Sequence, residues 1–127
     1  MSTPLPEIER KAIKRRYKEG RRPMGVFCLR NLRDGRRLVL SSVDLPSMFN
    51  RLRMQLRTGT CVKYPELQRD WKELGAEAFS FEVLEELEPA PDPAWDPSSD
   101  LETLEGLWLE ELAPYDERGY NRRPRRR

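Results

Sequence analysis

Two runs of strand character, Met24 to Leu32 and Arg36 to Ser42, flank Arg33-Asp34-Gly35, and no other feature limits so strongly what this chain can fold into. Asp-Gly supplies the positive φ that a tight hairpin requires, so the two runs are expected to pair antiparallel. A third strand is expected over Phe79 to Leu87, where Phe79, Phe81 and Val83 alternate with Ser80 and Glu82. Between them, Asp44 is placed to cap a helix whose Leu45, Met48, Phe49, Leu52 and Leu56 recur at helical spacing, with Pro46 in its first turn and Gly59 as its stop. Its other side carries Arg51, Arg53 and Arg57. Pro65 to Leu74 reads as a second helix, packing Leu67, Trp71 and Leu74 and ended by Gly75.

Glu88 to Ser99 holds Pro89, Pro91, Pro93 and Pro97, which makes it an extended loop. Asp100 is then expected to cap a last helix with Leu101, Leu104, Leu107, Trp108 and Leu112 toward the core. Ahead of the hairpin, Pro6 to Arg22 is a basic, helix-compatible arm. Ile8, Ala12, Ile13 and Tyr17 form a narrow apolar stripe there, with Lys11, Lys14, Arg15 and Lys18 off it. The expected order is an accessory helix followed by β-β-α-α-β-α, with no internal repeat.

A chain of 127 residues makes one domain with short extensions. It has no apolar run near the ~18 residues of a membrane span, and its start is too polar for a signal peptide, so a soluble cytoplasmic protein is expected, with no membrane partner. Two cysteines, Cys28 and Cys61, do not make a disulfide framework in that setting. Histidine is absent, which removes imidazole as metal ligand, general base or pH switch.

The net charge of +2 conceals an asymmetry. Residues 1–63 hold 16 Lys and Arg against 5 Asp and Glu, residues 64–121 hold 3 against 17, and Arg122 to Arg127 add 5 positive charges. A basic half with an arginine tail is the footprint of a polyanion binder. The bland alternative is that the halves neutralise one another within one fold.

Near the C-terminus, Leu104-Glu105-Gly106-Leu107-Trp108 is followed, past Pro114, by Gly119-Tyr120-Asn121. Taken with Gly25-Val26-Phe27 and Leu38-Val39-Leu40, and with the segments Glu66 to Gly75 and Phe79 to Glu86, this pattern resembles a GIY-YIG nuclease domain over residues 24–121. The resemblance implies an α+β fold, a small three-stranded antiparallel sheet flanked by helices. Residues 1–23 then form a basic helical arm, and 122–127 an arginine-rich tail, disordered in isolation.

The family's chemistry, as the resemblance implies it, uses a glutamate that holds a metal, two tyrosines, an arginine and a bracing asparagine. The glutamate falls at Glu105 and the asparagine at Asn121. The first tyrosine falls at Phe27, the second at Leu38, and the glycine of the second motif at Leu40. The arginine falls at Met48, and a polar residue one turn later at Leu52. Phe cannot move a proton, Leu cannot hydrogen-bond, and Met cannot neutralise a phosphate, so the site is expected to be filled in and inactive. Arg51, three residues beyond Met48, is the candidate to replace the missing arginine.

On sequence alone Glu105 reads equally as a solvated helix carboxylate and as the ligand of a single-carboxylate Mg²⁺ site. Asn121 has the alternative of closing a turn. Trp71 and Trp108 stand at core spacing, and Trp95 is the candidate for base stacking.

The function expected is therefore nucleic-acid binding on a degenerate GIY-YIG-like scaffold. Arg36, Arg51, Arg53, Arg57 and the arm residues Lys11, Lys14, Arg15 and Lys18 would contact phosphates of DNA, or alternatively RNA. No cofactor is required for that. One competitor is an endonuclease using Glu105 with Mg or Mn. The other is a protein-interaction module that docks a basic partner through Glu82 to Glu88 and Glu110/Glu111.

Overall fold

A computed structural model describes residues 22–123. The basic arm, with Lys11, Lys14, Arg15 and Lys18, lies outside the described residues, as does the tail beyond Arg123. The described elements are β1 (Gly25–Asn31), β2 (Arg37–Ser42), α1 (Leu45–Thr58), α2 (Pro65–Leu74), β3 (Phe79–Glu86) and α3 (Pro97–Leu112), with short 3-10 turns at Ala76–Ala78 and Asp116–Arg118. The strands form one sheet in the order β2-β1-β3, antiparallel at both pairings. No helix among the described residues is long and apolar enough to cross a membrane.

The hairpin differs in detail from the tight turn expected. Asn31 donates its backbone N–H to Arg36 and accepts from Gly35, leaving Leu32 to Gly35 as the loop. Gly35 alone there takes positive φ, at 82°, while the side chains of Asn31 and Asp34 accept from the backbone N–H groups of Arg33 and Arg36. Polar side chains thus shape a four-residue loop in which Asp34 keeps negative φ.

Alternation along the strands divides the molecule into layers. Phe27, Leu29 and Leu38 face α1 and α2, joining Leu45, Phe49, Leu52, Leu56 and Leu67 in the main core. Phe49 meets Phe27 edge-on at 4.9 Å and lies 5.0 Å from Phe81. Val26, Cys28 and Val39 face the other way, against Leu104, Trp108, Leu109 and Leu112 of α3. This second layer is thinner, and only Leu101 of α3 is fully buried. Leu107, expected inside, is 58% exposed. The inward stripe runs through 101, 104, 105, 108, 109 and 112, and residue 107 lies off it. The helix also begins one turn earlier than expected. Asp96 caps it by accepting from the Ser98 N–H, and Pro97 supplies the first helical φ. Asp100 instead accepts the Trp95 indole N–H at 3.0 Å, so this indole is tied to the helix start.

A buried polar network ties the hairpin to α2 and to the C-terminal segment. Asp70, 5% exposed, accepts from the Tyr120 hydroxyl at 2.8 Å and from the Arg36 guanidinium. The Asn31 amide donates to the Tyr120 oxygen at 3.0 Å, and Arg36 lies 4.7 Å from the Tyr120 ring centroid while also bonding Asp34. Arg36, expected to contact phosphate, is thus engaged by carboxylates and a ring within the fold. Arg30 pairs with Glu82 in the same manner, so the basic and acidic halves interleave in part.

Cutting this network has graded costs. Tyr120→Phe leaves the Asn31 amide without its acceptor, and is expected to lower stability by about 1–3 kcal/mol. Asp70→Ala takes the charged acceptor from both the Tyr120 hydroxyl and the Arg36 guanidinium, which keeps Asp34, and at about 1.5–3 kcal/mol for each such bond is expected to cost more. Urea unfolding of both variants checks the order; equal, negligible losses would show the network to be dispensable.

Candidate functional site

The five substituted family positions come together in the main core. Phe27 and Leu38 are fully buried, Leu52 is buried, and Leu40 and Met48 are half-buried against the same cluster. Each position where a nuclease of this type would carry a hydroxyl, a cation or a bare glycine here contributes apolar surface to one packed interior.

The expected replacement by Arg51 is not what the geometry provides. The buried face of α1 is Leu45, Phe49, Leu52 and Leu56, which turns Arg51 to solvent beside Asn50, Met54 and Arg57. Arg53 leaves that stripe as well. It is half-buried, with its guanidinium 4.4 Å from the centroid of the Phe81 ring. The three arginines expected to act together are divided between two faces.

Glu105 and Asn121 lie elsewhere, at the outer edge of β2. Hydrogen bonding within the hairpin alternates, so the backbone groups of Arg37, Val39 and Ser41 point away from β1. The C-terminal segment covers them. Gly119 forms a parallel bridge with Arg37, and the Tyr120 N–H donates to the Arg37 carbonyl at 2.9 Å. A Cβ on Gly119 would stand 2.3 Å from the Pro114 carbonyl oxygen, so this close run of chain demands glycine. Asn121 then grips Val39 with both ends of its amide, accepting at 2.7 Å and donating at 2.8 Å. It braces an edge strand and does not close a turn.

Glu105 occupies the inward stripe of α3, where its carboxylate faces the backbone N–H and the hydroxyl of Ser41. Burial pushes this carboxyl above the usual carboxylate range, and Glu102 adds to the effect. The Ser41 hydrogen bonds and Lys63 act against it. Burial likewise raises the Tyr64 phenol, with Cys61 and Glu105 contributing and Arg122 opposing. Tyr64, Lys63 and Arg122 therefore share the neighbourhood of Glu105. None of the three was singled out from the sequence as a site residue. The available signal was Tyr64 itself, a phenol in the short loop before Pro65.

A nuclease of this fold implies a divalent cation. Among the described residues no group of three or more His, Cys, Asp or Glu side chains is arranged to hold one. Glu105 also spends acceptor capacity on Ser41 and has an ammonium nearby. Hard cations take several oxygen ligands, so these residues do not by themselves fit a metal centre.

No family model matches the sequence, and no curated protein does. Two solved structures are similar. One is a single-substitution variant of the catalytic domain of the intron endonuclease I-TevI, with TM-score 0.64 and 22% identity over 78% of this chain and 92% of that one. The other is the catalytic domain of the homing endonuclease I-TevI, with TM-score 0.61 and 24% identity over 77% and 96%. The architecture is that of the GIY-YIG nuclease fold, an α+β arrangement of a three-stranded antiparallel sheet with helices.

Restoring the family side chains tests how fully the interior is closed. Phe27→Tyr combined with Leu38→Tyr and Met48→Arg is expected to destabilise the protein by several kcal/mol, since each buried polar group left unpaired costs about 1–3 kcal/mol. Thermal unfolding reports the loss, and an unchanged midpoint would mean that the groove is open.

A second expectation concerns pH. The folded protein holds the Glu105 proton more tightly than the unfolded chain does, so this group's contribution to stability is full below its unfolded pKa and is lost as pH rises through the folded one. Glu105→Gln, which keeps the acceptor for Ser41, should raise the urea midpoint at neutral pH, and the gain should vanish below about pH 4. A gain independent of pH would contradict this.

Proposed function

We propose that the chain is a nucleic-acid-binding protein on the GIY-YIG fold that does not cleave its target. The observation that supports this reading is that Phe27, Leu38 and Leu52 are buried in one apolar core with Leu40 and Met48 half-buried against it, so these positions offer packing surface in place of hydrolytic groups. The structural neighbours are named as endonucleases, proteins that must hold a nucleic acid before they cut it. Retaining the grip while losing the chemistry is consistent with the surface of α1. That helix contains no acidic residue, and among the described residues Arg51 and Arg57 have no carboxylate partner on its exposed side. Such a stripe suits phosphates, with no visible means of reading bases.

The retained carboxylate Glu105, with a phenol and two cations around it, favours one competing reading, a slow metal-dependent endonuclease. Incubation of supercoiled and branched DNA with Mg²⁺ or Mn²⁺ separates the two. No nicking above background is expected, and robust nicking abolished by Glu105→Ala would overturn the proposal.

Binding is expected to be electrostatic. Affinity for duplex DNA should fall steeply with salt, and Arg51→Ala or Arg57→Ala should each lower the slope of log K against log salt by about 0.9, alike across unrelated sequences. Removal of the basic arm should have the larger effect. Fluorescence anisotropy with DNA and RNA measures all of this. If no strand is bound at low salt, the proposal fails and a basic protein partner for the acidic half becomes the reading to pursue.

A further inference from the structure

Beside Glu105, a cavity of about 220 Å³ is walled by Lys63, Tyr64, Asn121 and Arg122, with Glu66 and Asp116 also on its lining. Apart from Asn121, none of these belongs to the expected catalytic or binding set, and the Asn121 amide is already committed to Val39.

This wall carries two cations and two carboxylates, and the carboxylates have partners of their own or stand out in solvent. Asp116 is paired with Arg123 at 2.6 Å, and Glu66, largely exposed, lies 4.0 Å from an Arg36 already bonded to Asp70 and Asp34. Among the described residues, neither the Lys63 ammonium nor the Arg122 guanidinium has a carboxylate within salt-bridge distance. Arg122 donates to the Lys63 carbonyl at 3.2 Å, and the Lys63 nitrogen lies 5.7 Å from the Tyr64 ring centroid, so backbone and ring hold the two cations around one opening. The phenol, raised by burial, stays protonated and can donate. A planar fork, a point charge and a hydroxyl donor around a small space are the groups that recognise a phosphate. The volume is below the ~300–1,000 Å³ of pockets that enclose drug-sized molecules.

We propose that this cavity seats a single phosphate of a bound nucleic-acid strand, gripped jointly by Lys63 and Arg122 with the Tyr64 hydroxyl donating to it. The inference rests on the nucleic-acid reading and adds the place where one backbone phosphate is fixed, apart from the diffuse contacts of α1. Glu105, on the neighbouring stripe, is a carboxylate whose charge works against the seat.

Two cations on one phosphate behave differently from two cations on two. Lys63→Ala and Arg122→Ala should each weaken binding of a short DNA duplex roughly ten-fold, the loss of a charge-assisted hydrogen bond. Their double variant should lose much less than the product of the two, since the remaining cation alone holds little. The double variant should lower the salt slope by about 0.9 in total, against about 1.8 for Arg51→Ala with Arg57→Ala. Tyr64→Phe should weaken binding more mildly, and Glu105→Gln should strengthen it at neutral pH, the reverse of what loss of a metal ligand would do.

Inorganic phosphate, followed by backbone amide NMR shifts, should perturb Lys63, Tyr64 and Arg122 saturably. Comparing duplexes with and without a 5′-phosphate shows whether a terminal or an internal phosphate occupies the seat. Additive losses with a slope change near 1.8 would overturn the joint grip. Strand binding that Arg51→Ala weakens but Lys63→Ala and Arg122→Ala leave untouched overturns the seat while the nucleic-acid reading stands. Absence of any strand binding overturns that reading and the seat with it.

Discussion

The contact on which the arrangement depends is the buried carboxylate of Asp70. A charge in an apolar interior is tolerable only when its hydrogen bonds are made, and the partners of Asp70 come from distant parts of the chain. Arg36 belongs to the hairpin end and Tyr120 to the C-terminal segment, with Asn31 of β1 completing the set through the Tyr120 oxygen. Satisfying one group therefore fixes α2, the hairpin and the described C-terminal segment relative to one another. It also commits Arg36, the most enclosed of these cations, to the fold and away from solvent.

From that fixed point the edge of the sheet follows. Tyr120 held against Asp70 draws Gly119 to Arg37 and sets Asn121 opposite Val39. An open edge strand exposes unpaired backbone groups to other chains. Here the three outward positions of β2 are each met: Arg37 by the Tyr120 N–H, Val39 by the Asn121 amide, and Ser41 by the Glu105 carboxylate. The candidate site is thus built where an edge is being sealed.

Much of this was legible from residue order. The spacing of Leu45, Phe49, Leu52 and Leu56 fixed the inner face of α1, and the alternation around Phe79 and Phe81 placed β3. Errors arose where one residue type supports two structures. Pro97 suits a loop, yet after Asp96 it is a favoured first helical residue. Arg36 and Arg51 look alike as charges in a basic half, and only the tertiary position of Asp70 separates a structural cation from an exposed one. Lys63, Tyr64 and Arg122 are distant in sequence from Glu105 and carry no periodic signal, so their grouping becomes visible only in three dimensions. The placement of Glu105 has a local cue: it falls four residues after Leu101 and four before Leu109, on the sheet-facing stripe.

That placement accounts for which family positions match the resemblance and which do not. A tyrosine, arginine or glycine whose value lies only in chemistry has no structural work at Phe27, Leu38, Leu40 or Met48, and an apolar side chain there adds buried area to the main core. Glu105 and Asn121 are different, because each satisfies backbone groups of β2 that would otherwise face outward unpaired. Leucine at either position would fill space and leave an N–H without an acceptor, a cost that added apolar area offsets poorly. The two residues that look like remnants of a catalytic set are thus the two with a second occupation in the fold. Their presence is weak support for turnover, because the fold alone accounts for both.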